Sequence, residues 1–392
     1  MKLKRTPEDF QVEELTSLAP QPSGRYTLYR LNKRGIGTIE AVEAICRRWN
    51  LSGRRVSYGG LKDRHAVTVQ YLTILDGPDR AIREPSFDLE PLGRAARPYG
   101  PDQFHANRFR IVLRNLDRRR AADALAAARE LPAAGLPNYF DDQRFGSVGF
   151  SGEFIAAAWL KADHERALFL ALAEPNPFDR SGVKAQKEIL RECWGRWAEA
   201  KARLERSSTR SIVTYLTDHP TDYRGAFARL KRELRTLYFS AFQSHLWNVW
   251  LSRWIESLTA PGERVMVDLK TAVLAFPRSL NDSARAALES AGLPLPSART
   301  PPPEGPLGLL IDEALVPFGL SWSDLRVRHL KDVFFSKGRR AALVFPRDLK
   351  AELLDDSLHP GMQALRLGFE LDKGSYATIL VKRITELPGA GR

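Results

Sequence analysis

The chain has 392 residues, 43% of them hydrophobic and 9% aromatic, which is long enough for two domains with separate cores and too apolar for a disordered chain. It carries 60 Lys and Arg against 47 Asp and Glu, a net charge of +13 spread along the chain without a polybasic tail. A field of that sign attracts polyanions, nucleic acid first and acidic membrane surface second.

Only two cysteines occur, Cys46 and Cys193, each inside a helical pattern, so neither a disulfide framework nor a cysteine zinc site is expected. No uninterrupted apolar run of about 18 residues is available to span a bilayer, and the first ten residues lack the apolar core of a signal peptide. A cytoplasmic protein without membrane attachment is the expectation.

In chain order, Phe10 and Val12 alternate with polar neighbours behind Pro7, which predicts a strand opening a sheet, and Tyr26 to Leu31 predicts a second. Leu31 to Thr38 is a basic loop leading into a helix. Thr38 is its expected cap, Glu40 lies at the positive end, and Arg47 and Arg48 lie at the negative end, while Ile39, Val42, Cys46 and Trp49 share one face.

That helix delivers the chain to its most distinctive stretch, Tyr58 to Gln70. A strand end at Val56 to Tyr58 meets a turn at Gly59 and Gly60. After a polar apex, Val67, Val69, Tyr71 and Thr73 alternate with Thr68, Gln70, Leu72 and Ile74 in a return strand. One acid, Asp63, stands at the apex between Lys62 and Arg64, with His65 next. Positive flanks hold a carboxylate ionised, which suits a nucleophile better than a general acid. An aspartate after two glycines also serves as an ordinary turn residue that satisfies nearby N–H groups.

Asn107 to Arg114 alternates Phe109, Ile111 and Leu113 with Arg108, Arg110, Val112 and Arg114, a strand with one core face and one arginine face. The arginine face is either solvated or tracks phosphates. A helix from about Arg118 to Leu131 follows, with Asp117 as cap. Gly135 to Gly146 then interleaves Tyr139, Phe140 and Phe145 with Asn138, Asp141, Asp142, Gln143 and Arg144. Flat rings beside amide and guanidinium groups suit a cleft that stacks on a base and reads its edge. The alternative is packing under a sheet with Arg144 paired to Asp142.

After Gly152 helical patterns dominate, over Glu153–Leu172, Lys184–Leu204 and Tyr223–Leu258. Within the last, Gln243, Ser244, His245 and Asn248 make a polar face. Leu293 to Pro306 is a stiff proline-rich connector. Strand patterning returns at Leu365, Leu367, Phe369 and Leu371, before a turn into a final element. The fold class expected is therefore α+β, with a mixed or antiparallel sheet built from residues 1–150 and 338–392 and a mainly helical insertion over residues 151–337.

The stretch Gly60-Leu-Lys62-Asp63-Arg-His-Ala66-Val67-Thr68-Val-Gln70 resembles the signature of the TruD family of tRNA pseudouridine synthases. Further segments are similar in the same order: Lys4 with Pro7 to Phe10, Lys33 to Thr38, Asn107 to Arg114, Asn138 to Phe140 with Gln143 to Gly146, and Phe369 to Thr378. The Gln243-Ser244 helix is similar too.

The resemblance implies a pseudouridine synthase catalytic domain interrupted by an inserted, mainly helical α/β TRUD domain. It implies isomerisation of a uridine, typically position 13 in the D-stem of bacterial tRNAs. Asp63 matches the family's catalytic aspartate. Phe10, Asn138 and Phe369 match residues that contact the target nucleotide, and Lys4 and Phe140 match positions around the aspartate. Asp141 stands where the family usually has glycine, a costly exchange if that site needs positive φ, and Ile39 replaces a threonine.

Pseudouridine formation involves no oxidation and no phosphate transfer, so no metal and no nucleotide cofactor is expected, and tRNA is the partner of an enzyme working as a monomer. Two rivals remain open at this point. One is a non-catalytic RNA-binding module, for which Asp63 would be dispensable. The other is a metal-dependent nuclease or phosphatase, which needs clustered carboxylates.

Overall fold

The structure, a computed structural model, describes residues 1–290 and 292–385. The chain divides into two units, the first formed by Met1–Leu136 with the segment from Val344 onward, the second by Pro137–Leu343. Residues 137–150 and 338–343, expected with the first, lie in the second.

The first unit is built on a nine-stranded sheet. Its strands are β1 (Phe10–Thr16), β2 (Tyr26–Arg34), β3 (Val56–Tyr58), β4 (Val67–Leu75), β5 (Ile82–Glu84), β6 (Phe87–Ala95), β7 (Phe104–Leu116), β8 (Arg347–Asp355) and β9 (Gln363–Asp372). The order is β8-β9-β7-β1-β4-β2-β6-β5, with β3 also on β4. Every pairing is antiparallel except β1 with β4, which is parallel in the register Gln11 to Val67 and Glu13 to Val69. A parallel pair starts both strands at the same end of the sheet. The residues just before β1, including Lys4, and those just before β4, including Asp63, are therefore delivered to one place.

Alternation assigns the faces. Tyr29, Leu31, Leu72 and Ile74 point toward α1 (Thr38–Trp49), whose Ala41, Val42 and Ile45 complete that core. α2 (Arg118–Ala134) packs on β7, β8 and β9 and against α3 (Ala377–Thr385). The opposite face holds Arg30, Arg108, Arg110 and Arg366. Arg108 there is not an unpaired phosphate ligand: its guanidinium meets Glu13 at 3.3 Å and Glu370 at 2.8 Å.

The second unit is mainly helical around a long helix, Arg232–Leu258, which buries Phe242, Leu246, Trp247, Trp250 and Leu251. The long patterns before it are interrupted. Ile155–Leu160 and His164–Leu172 are separated at Ala162 (φ 62°), and Ser181–Glu192 and Trp197–Arg203 are separated at Gly195 (φ 84°). Left-handed residues end helices, and apolar periodicity alone does not register them. A hairpin of Arg264–Leu269 and Ala272–Pro277 follows the long helix. Its alternating Val265, Val267 and Leu269 went unread in the sequence. Among the described residues no helix is long and apolar enough to cross a membrane.

Candidate active site

The loop between β3 and β4 starts with a close approach. A Cβ on Gly59 would lie 2.9 Å from the Phe104 ring and 3.0 Å from Tyr99, so only glycine fits there. Beyond it the chain is held by side chains from three other elements. Thr38 Oγ1 accepts the Lys62 N–H (2.9 Å) and donates to Gln70 Oε1 (2.8 Å), and Gln70 Nε2 donates to the Gly60 carbonyl (3.2 Å). Thr38 is thus a tether of this loop and not the helix cap expected. The cap position is Gly37, whose N–H donates to Glu40 Oε2 at 3.0 Å.

Lys33 is the third holder. Its side chain points to the α1 side of β2, the residue is 1% exposed, and Nζ donates to the carbonyls of Ile36 (2.8 Å), Asp63 (2.8 Å) and Lys62 (3.3 Å). Burial pushes the Lys33 amine down to about 8, the Asp63 carboxylate opposing the shift. The backbone of Asp63 is anchored from below while its side chain stays 39% exposed.

The cations that flank Asp63 in sequence are turned elsewhere. Lys62 meets the buried Glu14 at 3.0 Å and Asn107 Oδ1 at 2.7 Å, and Arg64 pairs with Glu40 on the surface at 3.0 Å. The cation on the Asp63 carboxylate is Lys4, in direct contact with it. Lys4 adopts φ 58°, which for a residue with a Cβ costs on the order of 1–3 kcal/mol.

Pins on both sides hold that strain. Lys2 exchanges backbone hydrogen bonds with Arg114 (2.8 and 3.0 Å), and Asp9 accepts the Thr6 N–H at 3.0 Å. The Arg114 guanidinium joins Asp9 (2.9 Å) to Asp356 (3.0 Å). Burial works against the Asp356 carboxylate, but the Asn115 and Leu358 N–H groups and Arg114 outweigh it and lower its pKa to about 2.

The Lys4 ammonium also lies 4.1 Å from the centre of the Phe10 ring. Phe10 meets Phe109 edge to face at 6.2 Å, and Phe109 stacks on Phe369 at 5.3 Å. Phe10, Lys4, Asp63 and Phe369 of the expected set thus belong to one unit, linked by contacts through Phe109.

Asn138 and Phe140 lie in the second unit. Asn138 is pinned by Arg340, whose Nε and Nη2 donate to its backbone carbonyl and to Oδ1, each at 2.6 Å, while its N–H donates to the Ala342 carbonyl at 2.9 Å. Asn248 of the long helix pairs with both backbone groups of Phe140, each at 2.9 Å. The Phe140 ring packs edge to face on Trp247 at 5.7 Å and under Arg340 at 4.3 Å.

Tyr139 is core, its hydroxyl donating to the Ala275 carbonyl (2.7 Å) and its ionisation pushed well up by burial. Arg144 does not take the expected partner Asp142. Its Nε donates to Ser244 Oγ at 3.1 Å, and Asp142 accepts the Lys270 N–H at 2.9 Å. Asp141 sits at φ −82°, so its place in the chain needs no glycine.

Lys33, Thr38, Gln70 and Glu14 were not read as site residues. Alternation offered one signal: Lys33 shares parity with Tyr29 and Leu31, and Glu14 with Phe10 and Val12, so both are charges on the buried face of a strand. Arg340 carries no local signal at all. Among the described residues there is no group of three His, Cys, Asp or Glu side chains that could hold a metal ion.

Comparison with known proteins covers nearly the whole chain. Residues 1–384 match the family described as tRNA pseudouridine synthase D (TruD). A Methanococcus maripaludis protein named "Probable tRNA pseudouridine synthase D 1" is 29% identical over 98% of this chain and 99% of its own. The tRNA pseudouridine synthase D of Leptospira interrogans is 29% identical over 97% of this chain and 95% of its own. The crystal structure of a Methanosarcina mazei protein classed as TruD superposes with a TM-score of 0.77 at 27% identity, covering 98% of this chain and 93% of that one. With its mixed sheet, its inserted unit and these matches end to end, the chain belongs to the TruD family of tRNA pseudouridine synthases, isomerases that act on tRNA.

Proposed function

We propose that this chain isomerises uridine 13 in the D-stem of tRNA and that Asp63 is its catalytic residue. The observation carrying the assignment of Asp63 is its geometry: a half-exposed carboxylate on a loop with an anchored backbone, held against the ammonium of a strained Lys4. The choice of position 13 rests on the likeness of Gly60 to Gln70 to the family signature.

In this isomerisation the N1–C1′ bond breaks, the uracil turns, and C5 bonds to C1′. C5 gives up its proton and N1 takes one, so nothing is oxidised and no phosphate moves. The chemistry therefore needs neither a metal nor a nucleotide cofactor, and the reading includes a monomer acting on tRNA in the cytoplasm.

Asp63 begins the reaction at the ribose. Attack on C1′ and removal of a ribose proton both start from its ionised oxygen. Lys4 pairs with that oxygen and then steadies the detached uracil anion. Extruding the base costs a few kcal/mol, offset by packing at the rim of the row of rings that runs from Phe10 through Phe109 to Phe369. Arg340 occupies the amide oxygen of Asn138, which leaves the amide N–H groups to donate to a uracil carbonyl.

Carbodiimide mapping of tRNA incubated with wild-type or Asp63→Asn protein tests both parts. Expected is a new mark at position 13 with wild type only. The same mark made by Asp63→Asn overturns the catalytic role, and a wild-type mark at another uridine overturns the position.

A further inference from the structure

A groove in the second unit is lined by Arg299, Thr300, Trp322, Arg326 and Arg328 around a cavity of about 550 Å³. Arg326 and Arg328 also line an adjoining cavity of about 180 Å³, with His164 and His329 in its wall, so the two arginines stand between the two cavities. Arg299, Arg326 and Arg328 are exposed, and among the described residues none of them forms an ion pair.

One carboxylate, Asp324, lines the adjoining cavity. It is engaged by its own turn, accepting the Ser321 N–H at 2.8 Å and the Ser321 hydroxyl at 2.7 Å. Arg299 stacks 4.5 Å from the centre of the Phe334 ring, which is 55% exposed. Stacking fixes the guanidinium plane while leaving its N–H donors open.

Arg108, Arg114 and Arg235 show the contrast, since each is neutralised by a carboxylate within 3.0 Å. Three exposed guanidiniums along two adjoining cavities, with the Asp324 carboxylate near Arg328 as the one acidic group in the lining, are an arrangement that a polyanion with regularly spaced phosphates completes. We propose that these two cavities form an RNA-docking surface that takes the sugar–phosphate backbone of the tRNA substrate. The proposal rests on the tRNA substrate of the family and is independent of which uridine is modified and of the role of Asp63.

The test uses full-length enzyme with Arg299, Arg326 and Arg328 all changed to alanine, and tRNA labelled with tritium at uridine C5. That label is released whenever C5 bonds to C1′, at any position. All three side chains lie on the surface, and a thermal melt checks that the fold is kept; a triple Arg→Lys variant preserves the charge should the alanine variant unfold.

Expected for the alanine variant is a rise of about tenfold or more in both Kd and KM, with kcat within about twofold of wild type. The slope of log Kd against log salt should fall by about 2 to 3, since each phosphate contact contributes roughly 0.7–0.9. The Arg→Lys variant should keep the slope. Asp63→Asn, run in parallel, should stop tritium release with Kd and slope unchanged, and its result bears on the catalytic assignment alone.

Wild-type Kd and slope in the folded alanine variant overturn the proposal, as does a fall in kcat with KM unchanged. So does retained tRNA affinity combined with lost binding to anionic phospholipid vesicles.

Discussion

Asp63 and Asn138 are both set in place by side chains far away in sequence, but by different physics. Under Asp63 the anchors are buried charges: the Lys33 amine on three carbonyls, and Lys62 against Glu14. Around Asn138 and Phe140 they are the neutral amide of Asn248, the stacked Arg340 and the Trp247 ring. Removing one member of a buried charged set leaves its partners unpaired in low dielectric, whereas losing an amide pair forfeits about one hydrogen bond apiece. The first arrangement is rigid and sensitive to charge; the second is softer and tolerates more.

The largest test of this contrast is Lys4→Met, which should lower kcat by about 10³-fold with little change in tRNA Kd, because Lys4 meets the carboxylate directly. Arg340→Met should act mainly on KM, and by about tenfold. Equal effects in single-turnover and binding measurements would erase the distinction.

Titration comes next, because each unit buries a basic group. His245, its ring tilted against Phe154 with centres 4.6 Å apart, is pushed by burial down to about 4, below its usual 6.5. Between those values the unfolded chain binds the extra proton, so stability falls as pH drops from 6.5 to 4, by about 3 kcal/mol in total. Lys33, at about 8 in the fold against 10.5 unfolded, acts in the same sense at the other end. Wild type should gain up to about 3 kcal/mol relative to Lys33→Met as pH rises from 8 to 10.5. Urea unfolding of His245→Gln and Lys33→Met beside wild type, across both windows, measures these terms, and parallel curves for wild type and variant would refute them.

The smallest effect is expected of Asn248→Ala. Losing both hydrogen bonds to Phe140 should cost about 1–2 kcal/mol in the same urea assay. A loss as large as that of Lys33→Met at pH 7 would show that the two sites are anchored alike.

How much of this was legible in the sequence differs between the same regions. The β3 turn and β4 were readable because Val67 to Leu72 alternates and two glycines mark the turn. The motif around Asp63 identified the family, but the local charge argument chose the wrong cations. Glu14 and Glu40 take Lys62 and Arg64, and a residue 59 positions distant from Asp63 supplies its charge. Thr38 was misread because a threonine at a helix start usually caps it, and here tertiary demand took the hydroxyl. The pinning of Asn138 by Arg340 spans 202 positions and leaves no local trace.

The sheet order has a consequence for how the molecule comes into being. β7, 13 residues long and alternating, takes β9 as its neighbour, yet the whole of Pro137–Leu343 lies between them in the chain. During synthesis that edge stays unpaired while the 246 residues between Leu116 and Gln363 emerge, a bare template for any passing strand. Phe369 arrives on β9 to stack on Phe109, so the aromatic row beside Lys4 can close only after the whole of Pro137–Leu343 has been made. A nascent chain stalled short of that strand would carry Asp63 on its loop and still lack the wall next to it.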